Sequence, residues 1–310
     1  MRRLISSFAV DEYAGQFWNL CDPASVGFLL EFYMQIHGES IALPVSRGAL
    51  HHLPVQRQAI LTPTMQPSSQ SVDQPLLEAV ERAYARYKQR SSAWLEGFAQ
   101  AGGVVHCRSG CMNCCNFPVQ VSLAEALLTA AALSEVQMAA MRRRAARVMK
   151  NASTASNWNE YFERHRTQVG YCPLLDLESG ACTAYEVRPA RCRDTWSAFS
   201  SKFCEVGAMQ RLTRSERLEY NREVKANPVT DGVSHYVAPL EELGEPIWEA
   251  AGEAMRSAWG VEVWGDFWVL TALTQDTAFM EAVRSGAAAR ATRRAKALGL
   301  WHLEIVRIET

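Results

Sequence analysis

The chain has 310 residues, 48% of them hydrophobic, and 32 basic against 33 acidic side chains leave a formal net charge of −1. A chain of this size can bury roughly three quarters of its unfolded surface, so it needs no disulfide framework to fold. The balanced charge argues against a whole-chain electrostatic role on nucleic acid or a membrane, and nowhere do eighteen apolar residues stand in a row.

Residues 1 to about 61 mix aromatic and apolar clusters such as GQFWNL and VGFLLEFYMQI, which suggests a folded N-terminal lobe. The opening MRRLISSFAVDEYAGQFW has no apolar run long enough for a secretory signal, so a soluble cytoplasmic protein is expected. Residues 62 to 75, TPTMQPSSQSVDQP, have almost nothing to bury and read as a linker, with a boundary near residue 70. Apolar or aromatic residues at Leu76, Val80, Tyr84, Tyr87 and Trp94 then predict a helix that stops at Gly102 and Gly103. FPVQV, from 117 to 121, reads as a short extended piece. Ser122 with Glu125 and Ser134 with Gln137 are two capping boxes, so one helix begins at 122, breaks at Leu133, and a second follows. The basic run RRRAARVMK at the end of that second helix reads as a solvated face. Residues 172 to 185, two apolar runs around Ser179 and Gly180, predict a β-hairpin carrying Cys172 and Cys182. From about 212 to 300 the pattern is helical, with Pro246 near a helix start, Gly260 and Gly265 as breaks, and a final helix capped by Gly299. LEIVRI, near the C-terminus, predicts a strand. The tryptophans 248, 259, 264 and 268 read as core rather than as a stacking platform, because no basic groove residues interleave with them.

Eight of the nine cysteines fall between 107 and 204, and only Cys21, most simply a small buried hydrophobe, stands apart. In a reducing compartment such crowding points to metal ligation or thiol chemistry. The spacing of Cys111 and Cys114 lets a tight loop aim two thiolates at one soft ion. Cys115 is harder to place: in an extended backbone its side chain would point away from that of Cys114. His106 is a candidate extra ligand, and the adjacent His51 and His52 are weaker ones. Cys107, Cys111 and Cys114 also have the spacing of radical S-adenosylmethionine enzymes. Asn113 before the third cysteine, a fourth cysteine directly after it, and the missing repeat of strand and helix units argue against that barrel.

HCRSGCMNCC followed by VSLAEA, and then CPLL, SGACTAYEVRPARCR, resembles the CxxCxxCC cysteine-cluster family, also called YkgJ-like, whose members are described as zinc- or iron-chelating domains. The resemblance spans about residues 104 to 196, and Cys172, Pro173, Gly180, Cys182, Tyr185, Arg188, Pro189, Cys192 and Arg193 match in order. It departs in the three residues between Cys107 and Cys111, where some members have two. It implies a metal centre held by Cys107, Cys111, Cys114, Cys115, Cys172, Cys182 and Cys192, as an iron–sulfur cluster or, alternatively, zinc. Arg188 and Arg193 would then lower the cost of burying the net negative charge of a thiolate-ligated centre. The cluster is also similar to that of flagellin lysine N-methylases, which implies as an alternative an iron–sulfur-dependent enzyme modifying a protein side chain, with a protein as substrate.

The expectation is a mostly α protein with small β elements, its helices set around a cysteine-rich core of loops and a hairpin. Residues 1–70 would form the N-terminal lobe, 71–210 the cysteine-cluster domain, and 211–310 a helical region packed on it. The expected partner is a metal ion or cluster, with no nucleic acid and no membrane.

Overall fold

The computed structural model describes residues 73–310. The N-terminal lobe, the boundary near residue 70, Cys21, His51 and His52 lie outside the described residues, as does all but the end of the 62–75 stretch. In chain order the elements are α1 (Gln74–Gln100), β1 (Gln120–Ser122), α2 (Leu123–Ala132), α3 (Glu135–Thr154), α4 (Trp158–Arg164), α5 (Ala190–Asp194), α6 (Ala208–Arg211), α7 (Arg214–Ala226), α8 (Ala238–Trp259), β2 (Glu262–Asp266), α9 (Phe267–Leu273), α10 (Thr277–Arg284), α11 (Ala288–Ala297) and β3 (Val306–Glu309). The described residues are mostly helical, with one small sheet among them. Its three strands run antiparallel in the order β1-β2-β3, Val121 facing Gly265 and Gly265 facing Val306.

One hydrophobic core joins the elements on both sides of residue 210. Leu76, Val80, Tyr84 and Tyr87 of α1 line it with Ile247, Ala251, Met255 and Trp259 of α8, while every residue of α9 is buried. Both expected capping boxes form. Ser122 and Ser134 each accept from the amide three residues on, and Glu125 and Gln137 each reach back to the capping amide. The last helix ends as expected on Gly299 at φ 68°, where the amides of Gly299 and Leu300 bond back to Lys296 and Ala295 and so satisfy the terminal carbonyls. Among the described residues no helix is long and apolar enough to cross a membrane.

Four elements meet on the Glu125 carboxylate, which is 0% exposed. One oxygen accepts from the Ser122 amide at 2.9 Å and the Ser122 hydroxyl at 3.0 Å; the other accepts from Tyr84 Oη at 3.0 Å and the Ala190 amide at 2.8 Å. A buried carboxylate persists only when its lone pairs are filled in this way. The result ties α1, the β1–α2 junction and the start of α5 to one point. Burial first, and the Glu125 charge second, hold the Tyr84 hydroxyl in its protonated, donating form. At the N-terminus of α1, Asp73, read in the sequence as part of a polar linker, is 6% exposed and accepts from Arg284 and from the Trp259 indole.

Three expectations are corrected. Pro246 does not sit near a helix start: α8 begins eight residues earlier, and Pro239 takes the N-terminal position that tolerates proline. The carbonyl that Pro246 leaves without a helical donor belongs to Glu242, which is exposed to water, and the apolar stripe of Leu240, Ile247, Ala251 and Met255 carries the helix through. Gly265 is not a break but lies within β2, paired on both sides, where an added Cβ would lie 2.4 Å from the Ile305 carbonyl oxygen. The 172–185 hairpin reduces to one antiparallel bridge, Leu175 with Cys182, turning at Gly180; Leu174 and Ala184 are buried in the main core instead of extending a ladder.

Two measurements check this account. Glu125→Ala strands four donors, and equilibrium denaturation is expected to show a loss on the order of 3 kcal/mol, far beyond an exposed glutamate such as Glu135. Asp266 caps α9 through the amides of Trp268 and Val269, yet burial outweighs these donors and pushes its carboxyl up to about 7. The folded chain therefore holds this proton more tightly than the unfolded chain, where the group titrates near about 4. Its contribution to stability is full below about pH 4 and is lost as pH rises through about 7. Asp266→Asn keeps an N-cap acceptor, so its stability is expected to fall less steeply across that window; parallel pH profiles for parent and variant would contradict the assignment.

Candidate metal centre

The cysteines are carried by loops pinned to the helical core. After α1 ends, Gly110 and Gly180 meet backbone to backbone: a Cβ on Gly180 would lie 2.4 Å from the Gly110 carbonyl oxygen. This close approach lays the Cys107–Cys111 loop on the turn that leads to Cys182. The Cys172 amide donates to the Cys115 carbonyl at 2.7 Å, which joins the second cysteine segment to the first. Cys192 lies in α5, a single short turn that cannot hold itself. Glu125 takes its Ala190 amide, and Tyr87 and the Trp196 indole both donate to the Arg193 carbonyl, at 2.9 and 2.7 Å.

Cys107, Cys111, Cys114, Cys115, Cys172, Cys182 and Cys192 are half-buried free thiols, and Cys204 is fully buried. They fall into two neighbouring groups. Cys107, Cys111, Cys114 and Cys204 bear on one another electrostatically, and so do Cys172, Cys182, Cys192 and Cys114, with Cys114 common to both. Burial pushes Cys107 and Cys172 up to about 11 and Cys204 up to about 12, with neighbouring thiols adding to the effect. Cys192 is raised for the same two reasons. Among the described residues no three Cys, His, Asp or Glu side chains converge closely enough to hold an ion; the thiols are gathered as neighbours rather than aimed at one point.

The chain around Cys114 and Cys115 is not extended. It is a turn, with the Cys115 amide bonded to Met112 and that of Phe117 to Cys114, because Arg166 draws the loop inward through the Asn116 side chain and the Asn113 carbonyl. In a turn the two side chains no longer alternate to opposite faces, and the neighbouring Cys115 thiol first, with burial second, raises Cys114 well above the ordinary thiol range.

The two arginines are placed differently. Arg188 is the positive charge that bears on both Cys114 and Cys192, and its buried Nε has no partner, although Nη2 meets Tyr185 Oη at 3.1 Å. Arg193 bears on Cys192 but gives its hydrogen bonds to the backbone: it donates to the Arg188 and Glu186 carbonyls and lies 4.1 Å over the Tyr84 ring. The side chain of His106 is exposed, while its amide pairs with the Ser197 carbonyl. Several residues at the site carry no signal in the sequence. Arg144, from the basic run read as a solvated face, is half-buried against Trp268 and bears on Cys172, as does Trp268 itself. Arg166 comes from a π-helical turn, His165–Val169, and donates to the Cys204 carbonyl at 2.6 Å. Only tertiary proximity could have found these residues, since none sits at a cysteine-like spacing.

Fold and site define a helical framework that gathers thiols from three loops. Residues 106–219 match the family model CxxCxxCC, described as "Putative zinc- or iron-chelating domain". No curated protein and no solved structure matches the chain. The donor set fits a soft metal: it is made of sulfur, and the charges that bear most on it are other thiols, Arg188 and Arg144. The unpartnered Arg188 Nε–H beside Cys114 and Cys192 is a donor that an anionic sulfur centre would satisfy.

The Gly110–Gly180 contact gives a test of the loop packing. Gly180→Ala puts a Cβ into the Gly110 backbone at a φ of 68° that L residues rarely adopt. Limited proteolysis is expected to cut within 104–118 sooner in this variant, with the helical circular dichroism retained; unchanged protection would disprove the contact.

Proposed function

We propose that this chain holds a soft-metal centre, an iron–sulfur cluster in the first reading and zinc in the alternative, ligated from Cys107, Cys111, Cys114, Cys115, Cys172, Cys182 and Cys192. The observation that carries this is the gathering of loop thiols around Cys114 together with a buried, unpartnered guanidinium N–H, that of Arg188, which bears on them. Thiols bind such metals only as thiolates, after losing their protons, and a low-dielectric site makes bare thiolates far more costly than a centre whose cation offsets most of their charge. The thiols here are arranged accordingly, as protonated neighbours that a cation would draw together. Arg188 would donate to the sulfurs of the assembled centre. Arg193 serves the same end indirectly, because it fixes the turn that presents Arg188. A bound centre supplies either a structural closure of the three loops or, for iron–sulfur, one-electron chemistry.

Metal counting on the full chain, purified without oxygen, tests the reading. The wild type is expected to carry iron and acid-labile sulfide with a brown colour, or else stoichiometric zinc without colour. Cys111→Ser and Cys172→Ser should each lose most of one group's metal, and Cys114→Ser, common to both groups, should lose the most. Full retention in all three variants would sink the assignment. Arg188→Leu is expected to keep the fold and to release metal to a chelator faster than the wild type.

A further inference from the structure

Cys204 lies outside the cysteine motif proper and, at 5% exposure, is the one buried cysteine residue among the described residues. Its sulfur is 3.2 Å from His235 Nε2, and His235 Nδ1 is 2.8 Å from Tyr220 Oη. All three side chains are buried, His235 and Tyr220 at 7% each. We propose that Cys204 closes a ligand set with Cys107, Cys111 and Cys114, and that His235 positions it by donating Nε2–H to the sulfur while Tyr220 fixes the imidazole tautomer. This rests on the soft-metal reading above and deepens it.

The backbone places Cys204 in that set. Asn113 Nδ2 donates to the Ser201 carbonyl at 2.9 Å, and Arg166 Nη2 bridges the Cys204 and Asn113 carbonyls, so the turn bearing Cys204 is tied to the turn bearing Cys114. Cys107 arrives from the other side. Its sulfur accepts from the Ser197 amide at 3.2 Å, and the next residue, Ala198, donates to the His235 carbonyl at 2.9 Å. One short segment, 197–198, thus bridges Cys107 and the histidine that holds Cys204. The imidazole is fixed by its neighbours, with the rings of Tyr236 at 4.5 Å and Phe203 at 6.3 Å.

The proton count settles the direction of the chain. A neutral imidazole has one N–H, and a metal-bound Cys204 thiolate has no proton to give. Both hydrogen bonds are then satisfied in only one way: Tyr220 Oη–H donates to Nδ1, and Nε2–H donates to sulfur. A donor of this kind orients the ligand and lowers the charge it must carry. The other common use of a Cys–His pair, a nucleophile and its base, needs a sulfur that substrate can reach, and this one is enclosed. His235 also lies beyond residue 219, where the family match ends, so the C-terminal part of the chain contributes to the centre.

The test uses the full chain offered cobalt(II) alone and, separately, ferrous iron with sulfide under argon. Cys204→Ser is expected to lose sulfur-to-metal charge-transfer absorption and metal. His235→Leu should weaken metal retention by about 10- to 100-fold. His235→Gln, whose amide N–H can reach the same sulfur, should recover most of it, and Tyr220→Phe should fall between them. A wild type that takes up neither probe fails the soft-metal reading itself. A wild type that loads while Cys204→Ser and His235→Leu load equally well overturns the present assignment alone. Equal losses in His235→Leu and His235→Gln, tracking equal falls in melting temperature, would reduce His235 to packing and overturn its positioning role. Should Cys204→Ser not fold, the comparison of His235→Gln with His235→Leu still decides.

Discussion

A fully buried carboxylate needs every one of its lone pairs answered, and the answer given to Glu125 organises this molecule. Its donors come from α1, from the β1–α2 junction and from the amide that starts α5. Removing any of them would leave charge in a low-dielectric interior, so these elements are fixed relative to one another more firmly than apolar packing alone would fix them. Thr129, one turn further along α2, extends the same face by donating to the Val187 carbonyl at 2.7 Å. The segment from Val187 to Ala190, which leads from Arg188 to Cys192, is thereby held against a rigid helix although it has no regular structure of its own beyond short turns.

The thiols themselves contribute little to the hydrophobic core, and the loops that carry them are held by polar links and by close backbone contact. Gly110 against Gly180, Cys172 on Cys115, Asn113 on Ser201 and Arg166 on three separate backbone or amide oxygens make a polar scaffold around sulfur. Such a scaffold sets where the loops run and leaves the last ångströms of each sulfur to whatever it binds. That is the arrangement expected where metal affinity and local folding are one free energy.

The division between the legible and the illegible can be followed residue by residue. The cysteine spacing, the two capping boxes and the terminal Gly299 were readable because each depends on residues a few positions apart. The failures share a different cause. A local rule puts Pro246 near a helix start, and α8 overrides it, since an apolar face packed on α1 outweighs one lost hydrogen bond facing water. Cys114 and Cys115 were expected to point apart, but Arg166, fifty residues away, folds their segment into a turn. Arg144 read as one more solvated basic residue, and only the arrival of Trp268 gives it a role near Cys172.

By itself the sequence determined what kind of atoms would be gathered and in which third of the chain, because sulfur is a ligand wherever the fold puts it and helix caps are local chemistry. Only the tertiary structure decided the grouping: that Cys114 stands between two sets of thiols, that Arg188 faces them while Arg193 faces the backbone, and that Cys204 meets His235 and Tyr220. Those pairings join residues up to about a hundred positions apart, and nothing in a linear pattern encodes them. They follow from the apolar face that each helix must bury and from the few ways in which buried polar groups such as Glu125 and Arg166 can then be satisfied.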